Sequence, residues 1–129
     1  MKGKLKREKY FRRKRRTRAK VKGTNKRPRL SVHRSNRYIF AQLIDDEKGA
    51  TLISVSEKDI RLKRKLSGKG NKDKKSQSKI DRAMQVGMVL AEKALKNKMK
   101  SVVFDKGGYK YHGRVKQIAE GARKGGLNL

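Results

Sequence analysis

The sequence has no cysteine, no tryptophan, a single proline, two histidines, and only 11 acidic residues against 40 lysines and arginines. Without cysteine there is neither a disulfide framework nor a thiolate metal site, and His33 and His112 alone make a zinc site a poor expectation. No apolar run approaches the roughly 18 to 20 residues of a membrane span, and the amino end lacks the apolar segment of a secretory signal. That end is Arg-rich, as organelle transit peptides are, but it lacks their Ser richness and amphipathicity. The expectation is a soluble, intracellular protein.

What is present is positive charge. The formal net charge is +29 and 40% of the residues are charged, so the folded chain repels itself unless a polyanion surrounds it. Nucleic acid is the natural partner. A membrane-surface segment would set Trp, Phe or Leu opposite Lys and Arg on an amphipathic helix, whereas KREKYFRRKRRTRAKVKG has no continuous apolar face. A length of 129 residues suits one domain plus a tail.

Residues 1–27 form that tail, with Glu8 its lone acid. It cannot bury enough apolar surface to offset its ordering entropy, so it is expected to be disordered, or loosely helical, until RNA binds. Arg12, Arg13, Lys14, Arg15, Arg16 and Arg18 are its candidate contacts. Pro28 marks the change of character, so the globular domain is expected over 28–129, with Arg29 a further candidate contact.

Three strands are expected next, at Leu30–Arg34, Tyr38–Ile44 and Thr51–Ser56. They alternate or are β-rich, and are joined by the turn-type stretches SNR and DDEKGA, with Gly49 as the positive-φ residue. Residues 61–79 read as a mobile Lys-rich loop, although Ile60 to Leu66 could form a short helix. Ser78 and Asp81 resemble a capping box. Beyond them Ile80, Met84, Gly87, Met88, Ala91 and Leu95 recur at helical spacing to about Asn97. KSVVFD reads as a fourth strand, parallel to an earlier one because a helical crossover precedes it. Val115, Ile118, Ala119 and Ala122 mark a last helix ending before Gly125. The order is β-β-β-α-β-α, an α/β (α+β) mixed sheet with helices packed on it.

FDKGGYKYHGRV, between the fourth strand and the last helix, approaches the phosphate-loop pattern G-x-x-x-x-G-K-[ST]. Arg114 and Val115 replace its last two residues, and valine cannot ligate magnesium. Three strands followed by α-β-α is also the ribonuclease-H-like arrangement, but Asp105 has no partner carboxylates for a two-metal site. As they stand, Lys106, Lys110 and Arg114 suit phosphate, while Tyr109, Tyr111 and His112 suit stacking or 2′-hydroxyl contacts in RNA. The bland alternative packs Tyr111 on the core and makes His112 a helix cap. On the first hairpin His33, Arg34, Asn36, Arg37 and Gln42 gather polar groups, and Ile39, Ala41 and Leu43 form the buried face. Tyr38 and Phe40 are either a stacking platform or a second apolar layer.

PRLSVHRSNRYIFAQLID, SGKGNK and VVFDKGGYKYHGRVKQIAEGARKGGL together resemble the bacterial L-eighteen family of the large ribosomal subunit, which binds 5S rRNA. The resemblance runs from about Arg27 onward, and VFDKGGYKYHGRV is its most specific part. It implies a domain related in topology to ribonuclease H but without catalysis, seated in the central protuberance of a cytoplasmic ribosome, with an organellar one left open. The implied partners are 5S rRNA, large-subunit rRNA and neighbouring 5S-binding proteins, with no cofactor and no small-molecule substrate. It also carries RNA contacts to Asn71 and Lys72. Lys106 stands where the family usually has arginine, keeping charge but losing bidentate geometry. The approach to the helix, DKKSQSKIDRAMQ, is longer than the family's. The alternative reading is a general coating protein that compacts DNA or chaperones RNA.

Overall fold

The computed structural model describes residues 2–60 and 78–129, so most of the expected Lys-rich loop, with Asn71 and Lys72, lies outside the described residues. The elements are α1 (Lys2–Lys20), β1 (Arg29–Arg34), β2 (Ile39–Asp45), β3 (Ala50–Ser56), α2 (Lys79–Lys96), β4 (Val103–Asp105) and α3 (Arg114–Lys124). From β1 onward the order matches the one read from the sequence, and residues 57–60 add a helical turn after β3.

The four strands form one mixed sheet in the order β3-β2-β1-β4, antiparallel except for the parallel β1–β4 pair, in which Leu30 faces Phe104. Alternation on β2 buries Ile39, Ala41 and Leu43 as expected. Ser35 closes the first turn: its hydroxyl accepts from the Tyr38 amide at 3.0 Å and donates to the Tyr38 carbonyl at 2.9 Å. Gly49, at φ +63°, makes the second turn, where a side chain would be strained.

Helix α2 starts where the sequence places it, with the Ser78 hydroxyl accepting from the Asp81 amide at 3.2 Å. Its buried face differs from the expected stripe. Ala83, Val86, Gly87, Leu90, Ala91 and Ala94 are buried, whereas Ile80, Met88 and Leu95 are 47%, 43% and 38% exposed. The reason is volume. A Cβ on Gly87 would overlap the Ile118 carbonyl, and one on Gly121 the Met84 carbonyl, so α2 and α3 meet backbone to backbone along their small residues. Ile80, Met88 and Leu95 are left at the rim of that contact.

Residues Lys2–Lys20 are helical, where the sequence reading expects disorder or loose helix. Lysine and arginine are good helix formers, and no proline or interior glycine interrupts them beyond Gly3. None of the helix's described residues is fully buried, so packing of an apolar face does not hold it. After it the chain returns to the sheet at Gly23, whose amide donates to Asp46 Oδ2 at 2.7 Å and whose carbonyl accepts from the Asp46 amide at 3.1 Å.

Candidate nucleic-acid interface

The glycine loop is set by a buried ion pair. Asp105, at the end of β4, accepts from the Gly107 amide at 2.7 Å through Oδ1 and from Arg29 Nη1 at 2.7 Å through Oδ2. Arg29 also donates to both oxygens of Asp46, each at 2.9 Å. The hydrogen bonds that Arg29 donates to Asp46 raise the Arg29 pKa against the opposing effect of burial, and Asp105 adds to the rise. Asp46 is lowered in turn, chiefly by Arg29, with the Gly23 amide helping.

Arg29 is thus corrected from an RNA contact to an internal pin: it is buried, and its donors are spent on carboxylates. The carboxylate that a nuclease reading would need is the same Asp105. Among the described residues no group of three or more His, Asp or Glu side chains could hold a metal ion.

Gly107, at φ +61°, turns the chain under α1. Thr17 donates to the Gly107 carbonyl at 3.0 Å, and Arg13 Nε donates to that of Gly108 at 3.1 Å. A Cβ on Gly108 would lie 2.5 Å from the Tyr10 ring and 2.7 Å from the Tyr10 carbonyl. The close approach this glycine permits is therefore to helix α1.

Tyr109 is half-buried and held by protein. Its hydroxyl accepts from the Arg34 amide at 3.2 Å, the Arg34 guanidinium lies 5.0 Å from its ring centroid, and the Tyr10 ring lies 5.5 Å away. Burial, reinforced by the neighbouring Tyr109, pushes the Tyr10 hydroxyl up to about 12. Tyr10 should therefore ionise well above the ordinary tyrosine value of about 10, which an NMR titration of its ring carbons checks; ionisation near 10 would contradict its docked position.

Around this junction the candidate residues separate into groups. Arg13, Arg16, Arg34, Lys106, Lys110 and His112 line a cleft of about 650 Å³ floored by Gly107 and Gly108. A second cleft, about 270 Å³, takes Lys14, Arg18, His33, Phe40 and Gln42. Phe40 and Tyr38 are half-buried, and Lys58 Nζ sits 4.9 Å from the Tyr38 ring centroid. Arg12 and Arg15 are exposed on α1 but line neither cleft, and Asn36 and Arg37 are exposed at the hairpin tip. His112 does not cap α3, whose start at Gly113 has no side-chain cap. Tyr111 packs edge-on against Phe104, 5.7 Å between centroids, and accepts from Arg123 at 3.2 Å. Arg114 donates to the Ser35 carbonyl at 3.0 Å, tying α3 to the hairpin; burial, then the nearby Arg34, lowers its pKa.

The sequence reading passed over Tyr10, Thr17 and Gly23, and took Asp46 only as a solvated residue of the DDEKGA turn, whereas it pairs with Arg29. A signal for the first two exists: Tyr10, Arg13, Lys14 and Thr17 are spaced three and four apart, which puts them on one face once the segment is read as a helix.

A small α+β domain whose cations gather in clefts over a strand–loop–helix junction, and whose well-placed carboxylate is neutralised from within, falls in the class of basic structural proteins. The family model described as "Ribosomal L18 of archaea, bacteria, mitoch. and chloroplast" matches residues 4–129. The large ribosomal subunit protein uL18 of Thermus thermophilus is 54% identical over 120 residues, 93% of this chain and 95% of that relative. The protein of the same name from Thermotoga petrophila is 49% identical over 124 residues, 96% and 95% of the two chains. That from Bacillus cytotoxicus is 51% identical over 114 residues, 88% and 87%. The chain belongs to the ribosomal L18 family, whose members are structural ribosomal proteins and not enzymes.

Proposed function

We propose that this ribosomal protein binds 5S rRNA as a structural constituent of the large subunit and helps fasten that RNA to the central protuberance, beside large-subunit rRNA and neighbouring 5S-binding proteins. The observation that carries the reading is the glycine-loop junction: a turn pinned from inside by Asp105 and lined outside by Arg34, Lys106, Lys110 and His112. Fixed cations beside a rigid turn suit the shape and 2′-hydroxyl positions of RNA, where a flexible tail supplies charge alone. Arg13, Lys14, Arg16 and Arg18 extend the positive surface along α1. Asn71 and Lys72 join the contact set on the family resemblance.

Competition binding of the full chain against 5S rRNA, tRNA and duplex DNA at moderate salt is the test. A clear preference for 5S rRNA is expected. Equal affinity for all three would replace this reading with that of a coating protein.

A further inference from the structure

We propose that Tyr10 is a specificity-determining positioning residue: its ring and backbone, seated on Gly108 and against Tyr109, latch helix α1 to the glycine loop so that α1 reads RNA shape as part of one rigid surface. The inference rests on the 5S rRNA reading above and adds to it a role for the helix that charge does not supply.

Three observations meet at the latch. The first is complementarity: Gly108 leaves no room for a Cβ beneath Tyr10, and it is not among the glycines with positive φ, so backbone conformation does not explain it. The second is that the ring contact is flanked by two hydrogen bonds from the same helix face, Arg13 to Gly108 and Thr17 to Gly107. The third is placement, because Tyr10 and Tyr109 both line the larger basic cleft with Arg13, Arg16 and Arg34. One wall of that cleft is α1 and the others are the loop and the hairpin. If α1 leaves, the cleft ceases to exist although every cation remains on the chain.

Two effects of α1 can therefore be separated. Its charges set the salt dependence, which scales at roughly 0.7 to 0.9 per phosphate neutralised. Its docked position sets where Arg13 and Arg16 stand relative to Arg34 and Lys106, and so the discrimination between RNAs.

The experiment uses the full chain with 5S rRNA and tRNA as probes, across a salt series, in five forms: wild type, Tyr10→Ala, Tyr10→Phe, Gly108→Ala and the double variant Tyr10→Ala with Gly108→Ala. Tyr10→Ala and Gly108→Ala lie on opposite sides of the contact and remove no charge. Both should cut the 5S-over-tRNA preference by about fivefold, the scale of a lost aromatic contact, while leaving the slope of log affinity against log salt unchanged. Tyr10→Phe, which keeps the ring, should retain the preference. The double variant should lose little more than either single one, since each opens the same latch. An NMR contact between the Tyr10 and Tyr109 rings should be present in wild type and Tyr10→Phe and lost in Gly108→Ala. A wild-type protein that prefers 5S rRNA, with Tyr10→Ala and Gly108→Ala that keep that preference, would overturn the latch and leave the function standing. A wild type with no preference would overturn the functional reading itself, and the latch's role in specificity with it.

Discussion

Asp105→Ala should be among the most damaging single substitutions in the protein, costing about 3 to 5 kcal/mol, the range for removing one partner of a buried ion pair. The Asp105 side chain is 1% exposed and that of Arg29 9%, so the substitution leaves a buried guanidinium short of a partner and frees the Gly107 amide that fixes the loop. Asp46→Ala should cost less, because its carboxylate is 27% exposed and water can take its place. Since the Asp46 pKa is lowered in the folded state, its contribution is fully present above the unfolded value of about 3.9 and is lost as pH falls toward the folded one. Replacing both buried charges, as in Arg29→Met with Asp105→Leu, should recover part of the stability, because no lone charge is then buried. Urea melts of the four forms decide the matter. Loss of less than about 1 kcal/mol in Asp105→Ala would show that the pair does not hold the loop.

Gly121→Ala should destabilise the domain by about 2 kcal/mol or more, although alanine in a helix is ordinarily worth about 1 kcal/mol over glycine. The added methyl has the Met84 carbonyl as its neighbour, and backbone cannot rotate aside as a flexible side chain can. The two helices must separate, which loosens the core around Leu90 and Ile118, both fully buried. Gly3→Ala is the control: nothing lies within 4 Å of its added Cβ, so it should be neutral or slightly stabilising. Chemical denaturation of both variants gives the sign directly, and a stabilised Gly121→Ala would mean the helices are not in backbone contact.

The sheet was legible because its cues are local. Alternation at Leu30, Val32, Ile39, Ala41 and Leu43, turn residues at Ser35 and Gly49, and the Ser78 cap each act within a few residues. The face of α2 was not legible from hydrophobicity, because Gly87 and Gly121, which decide it, are selected by size and by distant partners, Ile118 and Met84 respectively. The cations of the cleft were legible as cations. Arg29 looks like its neighbours Arg27 and Arg34 in sequence, and only the convergence of Asp46 and Asp105, from two other strands or their ends, reveals that it points inward. Tyr109 looked like a free ring because its cover, Tyr10, lies in a stretch whose composition argues for disorder.

The parallel pairing of β1 with β4 also governs how the chain can come to be folded. β1 finds β2 across a short turn, but Arg29 must await Asp105, 76 residues on. At about 5 to 20 residues per second of synthesis, that is an interval of roughly 4 to 15 s. Throughout it β1 has a bare edge, the place where strands of different molecules join. Non-local closure of this kind is also the slow step in folding domains of mixed topology. The meander of β1, β2 and β3 is therefore not a separable folding unit, and a chain cut between Asp46 and Asp105 keeps an arginine built for burial with one of its two carboxylate partners missing.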